Sequence, residues 1–226
     1  MSDDRHSKAA EASLITDPIE EARRESENAV AQFDRVLDLI DDVVRSDRPF
    51  RLRPSMILDL HRIVLDGLSA YAGNYRPGGI EIGQSKHVPP DAHLVPGLIE
   101  EMCDHVTDTF DNTVPLHLCA YVMWRLNWIH PFTDGNGRTS ERWPITFFAQ
   151  RLAIACRVTK PSLSRSQRTK GHYNALEAAD ESLTTGELNM QVLEELLDGQ
   201  LARQLLSAYD DAKNAGVGPP KDRKLH

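Results

Sequence analysis

The chain has 226 residues, 40% of them hydrophobic and 27% charged, with a formal net charge of −8. That length suffices for one sizeable core, and the composition is ordinary for a water-soluble globular domain. The acidic balance argues against general nucleic-acid binding, which needs a basic face, but leaves room for a local basic pocket. Three cysteines, Cys103, Cys119 and Cys156, form no CxxC pair and read as reduced, mostly buried thiols of an intracellular protein. No apolar run approaches the ~18 residues of a membrane span. The opening MSDDRHSKAAEAS lacks the apolar segment of a secretory signal, so the expected location is the cytoplasm.

Residues 1–14 are small, polar and charged, and are expected to form a disordered tail. TDPIEEARRESENAVAQFDRVLDLIDDVV then predicts one long helix. Thr16 or Asp17 suits its cap, Pro18 its first turn, and Glu20 and Glu21 the positive end of its dipole. Val30, Phe33, Val36, Leu37 and Ile40 recur at helical spacing and mark the expected core face. After SDRPFRLRP a second helix starts near Pro54 and carries Ile57, Leu58, His61, Leu65 and Leu68. AGNYRPGGIEIGQSKHVPP is too rich in glycine, proline and asparagine for a helix. Its IEIG and KHV flank a Gly-Gln-Ser turn, which predicts a short β-hairpin. Helical patterning resumes from Asp91 with Leu94, Leu98, Met102, Val106 and Phe110, and again from about Pro115 to Trp128. Further helices are expected in ITFFAQRLAIAC and near 165–182 and 189–209, before a flexible tail over 210–226. The expected fold is all-α: one domain over 15–209, a bundle of about seven helices with one small hairpin.

The chemistry concentrates in NWIHPFTDGNGRTSERWP, Asn127 to Pro144. Glycines let a loop turn sharply and bring N–H groups close to a ligand, and a helix N-terminus beside them makes an anion site. Arg138 adds a forked cation suited to phosphate. Asp134 beside it is the kind of carboxylate that holds Mg²⁺ together with phosphate oxygens. His130 is placed to take a proton from an attacking hydroxyl, and Phe132 reads as a core anchor for the loop. Taken singly, Asp134 is a turn residue and His130 a satisfied buried imidazole. A base, a metal carboxylate and an anion cradle together point to phosphate-group transfer.

HPFTDGNGR resembles the signature loop of the Fic family, H-P-F-x-[DE]-G-N-G-R-x-x-R between two helices. YRPGGIEIGQSKHVPP is similar to that family's flap hairpin, and HYNALEAAD to a segment bearing a tyrosine near its adenine pocket. The resemblance implies an all-α core and transfer of AMP from ATP to a Ser, Thr or Tyr hydroxyl of a target protein, releasing pyrophosphate. His130 would be the general base and Asp134 the Mg²⁺ ligand. Gly135, Asn136, Gly137 and Arg138 would form the anion cradle. Ile80, Glu81, Ile82, Gly83, Lys86 and His87 of the flap would dock the target as an added strand. Tyr173 would line the base pocket, a role that stands level with that of a plain core aromatic. The partners implied are ATP or another nucleotide and a protein target; a homodimer stays open.

The pattern breaks at Glu141, where the family has a second arginine that meets the γ-phosphate. Replacing attraction by repulsion there is a large change, since unit charges 4 Å apart near a protein surface interact by about 4 kcal/mol. Arg142 is about 100° away on a regular helix. Pro144, however, removes a backbone hydrogen bond and crowds Ser140, which would re-aim this turn and let Arg142 take over the phosphate contact. Alternatively Glu141 marks a changed donor or a weakly catalytic nucleotide-binding module, or is a solvated helix residue. Many Fic proteins also carry an inhibitory helix, [ST]-x-x-x-E-[GN]. Thr16 with Glu20, and Arg23 with Glu27 and Asn28, match it imperfectly, so no inhibitory clamp of the usual kind is expected. Phosphotransfer with a reversed nucleotide, as in the death-on-curing toxins, ranks lower because their loop differs.

Overall fold

In the computed structural model, which describes residues 14–46, 48–83, 85–140, Pro144 and 170–214, the chain is built of helices. The first, α1 (Pro18–Arg45), starts where the sequence places it: Asp17 caps it by accepting the Ile19 N–H at 3.0 Å, with Pro18 in the first turn. Its buried face differs from the expected one. Asn28, Gln32, Val36 and Ile40 point inward, whereas Val30 and Leu37 are 38% and 43% exposed. The reason lies in the carbonyls of the last turns of α2 (Pro54–Val64) and of Asp66 just beyond it, which accept side-chain donors from α1. The Asn28 amide donates to Val64 O at 3.3 Å and to Asp66 O at 2.8 Å, and Gln32 donates to Leu60 O at 3.3 Å. Two buried amides thus set the rotation of α1, at the expense of its apolar stripe.

A 3₁₀ turn at Ala92–Leu94 leads into α3 (Val95–Thr109), which packs against α4 (Pro115–Ile129). The next helix begins over residues 136–140, here α5, and Pro144 is helical and buried. α6 (Lys170–Thr184) and α7 (Gln191–Asn214) pair with each other and against α4. α4 is therefore the central element, with Leu118, Cys119, Ala120, Val122, Met123 and Leu126 all buried. ITFFAQRLAIAC, Cys156, Glu141 and Arg142 lie outside the described residues, as do 1–13 and 215–226, while residues 210–214 continue α7. Among the described residues no helix is long and apolar enough to cross a membrane.

The flap is an extended segment. Its expected turn is formed by the Ser85 N–H donating to Ile82 O at 3.2 Å, and Ile82 is its one bridge position among the described residues, which include no strand. Gln84 in that turn lies outside them.

Candidate active site

His130 closes α4 in the left-handed region, φ 50° and ψ 59°, the one non-glycine residue with positive φ among those described. Its own N–H still donates to Leu126 O at 2.9 Å, so the helix ends there and the chain turns sharply into the loop. A side chain in this backbone region is uncommon and marks a site held by its surroundings. The ring is fixed as well: Nδ1 lies 3.3 Å from Asn127 O, a carbonyl that can only accept, so Nδ1 carries the proton. Nε2 is then the basic nitrogen. It is buried, has no hydrogen-bond partner among the described residues, and belongs to a residue that lines an open cleft. Burial pushes the imidazole down to about 4, helped by the charges of Arg76 and His87 and opposed by the Asn127 bond and Asp134. The imidazole is therefore neutral at physiological pH.

The loop beyond it is braced from inside. Phe132 is buried and stacks on His61, ring centroids 3.6 Å apart and 5° from parallel. His61 Nε2 donates to Asp134 O at 3.0 Å, and its Nδ1 accepts the Gly73 N–H at 2.9 Å. Asn136 spends its amide on the same loop, donating to Phe132 O at 2.7 Å and accepting the Phe132 N–H at 2.9 Å. Gly135 sits at φ 74°, and a Cβ there would lie 3.0 Å from Leu65 Cδ1, so only glycine fits without displacement. These contacts aim the first turn of α5 toward the cleft, which Gly137 lines.

Two charges flank the start of α5. Asp134 Oδ1 accepts the Gly135 N–H at 2.6 Å and its other oxygen pairs with Arg138, yet its side chain stays 57% exposed. Arg138 also donates to Glu25 of α1 at 2.6 Å. The acids expected as imperfect inhibitory matches, Glu20 and Glu27, both turn to Arg23 instead.

The opposite wall comes from α4 and α6: Trp124, Trp128, Tyr173, Leu176, Glu177 and Asp180. The indole N–H of Trp124 donates to Asp180 Oδ1 at 2.8 Å, while burial raises the Asp180 carboxyl above its ordinary range. Of the flap residues, Ile82 and His87 reach the cleft, joined by Ser85. His87 Nε2 donates to Trp128 O at 2.7 Å, which fastens the outgoing arm of the flap to α4. Ile80, Glu81, Gly83 and Lys86 are not among the cleft-lining residues. Sequence reasoning gave no role to Asn127, His61, Glu25 or Arg76, because each acts through partners remote in the chain or through backbone atoms.

Residues 51–143 match the Fic/DOC family model. The chain is 30% identical over 127 residues to the protein adenylyltransferase Fic of Drosophila willistoni, a likeness covering 55% of this chain and 24% of that protein. It is 30% identical over 116 residues to protein adenylyltransferase fic-1 of Caenorhabditis elegans, covering 50% of this chain and 22% of that one. The chain thus spans about a quarter of the length of these curated relatives. Among solved structures it resembles a Fic family protein from Desulfovibrio desulfuricans, with a TM-score of 0.61 at 25% identity over 88% of this chain and 56% of that one. A Fic domain containing signaling protein from Bacteroides thetaiotaomicron gives a TM-score of 0.66 at 19% identity over 88% of this chain and 75% of that one, a likeness of fold alone. The helical framework, the HPFTDGNGR loop between α4 and α5, and these likenesses converge: the chain is similar to Fic domain proteins, and residues 51–143 carry that similarity.

Proposed function

We propose that this chain is a Mg²⁺-dependent adenylyltransferase that moves AMP from ATP to a Ser, Thr or Tyr hydroxyl of a target protein. The observation that carries the reading is His130, a neutral imidazole whose Nδ1 proton is committed to Asn127 O and whose Nε2 is buried without a partner among the described residues. In the reaction a lone pair of the target hydroxyl attacks the α-phosphorus, and the hydroxyl proton passes to His130 Nε2. The bond from the α-phosphorus to the bridging oxygen breaks, and pyrophosphate leaves with that electron pair. The first-turn N–H groups of α5 and the Arg138 guanidinium receive the phosphate charge. Gly135 and Asn136 act by shaping this turn.

Asp134 would hold Mg²⁺. A single, largely exposed carboxylate suits an ion that arrives with the nucleotide and takes its remaining oxygens from phosphates and water. Among the described residues no three His, Cys, Asp or Glu gather as a dedicated metal cage. When bound, the ion neutralises phosphate charge. Tyr173 and the two tryptophans offer faces for the base, and the flap from Ile80 to His87 offers an edge for a target strand. The domain we assign to this activity is residues 15–209, with the cytoplasm as its working compartment.

The second reading is a nucleotide-binding module with weak or altered donor use. Glu141 in place of the family's arginine favours it, and so does the engagement of Arg138 by Glu25. Isotope transfer separates the two. Label from α-³²P-ATP should appear on a protein in a cell extract and vanish with His130→Ala. Label from γ-³²P-ATP alone would indicate phosphotransfer instead. Tight Mg-ATP binding without any transfer would favour the second reading.

A further inference from the structure

Arg76 lies at the entry to the flap and is only 3% exposed. Among the described residues its guanidinium bonds run to carbonyl oxygens. Nε donates to His130 O at 2.8 Å, one terminal nitrogen donates to Gly78 O at 2.8 Å, and the other donates to Pro90 O. Its backbone N–H donates to Pro131 O at 2.9 Å. Gly78 and Pro90 bracket the flap on either side, so one rigid fork joins both feet of the flap to the residue that bears the base. The His130 carbonyl follows a left-handed backbone, uncommon outside glycine, that the surrounding structure must hold in place.

We propose that Arg76 is a positioning residue that couples the target-docking flap to the general base, so that the setting of the flap is felt at the His130 ring. This rests on reading His130 as the base and the flap as the docking edge. The coupling is mechanical. A planar guanidinium keeps its donors in one fixed fork, so displacing the Gly78 or Pro90 carbonyl tilts the donor that holds His130 O. Lysine keeps the charge but offers a point cation that cannot hold three carbonyls in that plane.

The test compares the full chain with its Arg76→Lys variant, using two readouts that need neither nucleotide nor target. Amide hydrogen exchange should speed up at least tenfold over residues 78–90 and stay unchanged in α3 and α4, which establishes that the variant is folded. The ¹⁵N signals of the His130 ring should show a single Nδ1–H tautomer in the parent and a mixture in the variant. A purely structural role would change the exchange and leave the tautomer alone. A Glu81→Pro substitution in the flap should shift the His130 ring signals in the parent background and no longer do so beside Arg76→Lys. Unchanged tautomer populations, or an equal Glu81→Pro shift in both backgrounds, would overturn the proposal. If Arg76→Lys does not fold, the parent alone decides. A strap holds the Arg76 guanidinium still and gives separate, slowly exchanging terminal N–H signals, whereas a freely rotating group would sink the idea. Because no step uses ATP, a negative result removes the strap and leaves adenylyl transfer to the isotope experiment.

Discussion

At the scale of single residues, the controlling fact is that His130 is kept neutral by burial. Its ordinary value of 6.5 falls to about 4 in the folded chain. As pH drops through 6.5 the unfolded chain takes up a proton there, and the folded chain does so only near 4. Protons thus favour the unfolded state across that window, and stability falls with falling pH until both states are protonated. The full effect is on the order of 3 kcal/mol, taking ~1.4 kcal/mol per unit. Urea midpoints at pH 7 and pH 4.5 should therefore drop further for the parent than for His130→Gln, which has nothing to titrate at this position. Equal drops would show that the imidazole is not held down. With His130 as the proposed base, the same displacement should move the acid limb of kcat/KM well below pH 6, because the imidazole stays unprotonated there.

At the scale of elements, α1 shows what periodicity can and cannot determine. Its cap, its first turn and its length were legible, since Asp17, Pro18 and the SDRP stop signal each act locally. Its rotation was not. An apolar stripe through Val30, Phe33 and Leu37 competes with an amide stripe through Asn28 and Gln32, and the carbonyls at the end of α2 decide for the amides. That rotation also delivers Glu25 to Arg138, a pair with side chains only 22% and 16% exposed. On the proposed reading of Arg138 as a phosphate-binding residue, a carboxylate there competes with nucleotide phosphate for the same guanidinium. An inhibitory match was sought five residues earlier and two residues later, at Glu20 and Glu27, which the exposed Arg23 takes up instead. We expect Glu25→Ala to bind Mg-ATP about tenfold more tightly in calorimetric titration, equivalent to ~1.4 kcal/mol, and Glu27→Ala to match the parent. Unchanged affinity in Glu25→Ala would mean that Arg138 does not meet the phosphates.

At the scale of the whole molecule, contiguity governs what can be read from sequence. His130, Asp134 and Arg138 fall within one short loop, so their chemistry is visible without a fold. Arg76 lies 54 residues from His130 and Glu25 lies 113 from Arg138, and only folding brings each pair together. The flap's turn was legible from Gly-Gln-Ser, whereas its fastening through His87 to Trp128 O depends on where α4 passes. The same closure buries Cys103 in α3 and Cys119 in α4, both within the main core. Burial pushes the Cys103 thiol up to about 12 and raises Cys119 as well, so neither is a thiolate near neutral pH. Alkylation of either requires the core to open, and a ligand that binds only the folded chain suppresses that opening by a factor of 1 + [L]/Kd. Peptide-resolved iodoacetamide labelling at pH 8 should therefore slow in parallel at both cysteines as Mg-ATP is added, by about 100-fold at 100 times Kd. Parallel slowing gives the nucleotide affinity of the folded domain with no knowledge of its target. Labelling at an undiminished rate would mean that the folded chain does not bind Mg-ATP, and slowing at one cysteine alone would mean that α3 and α4 do not open as a unit.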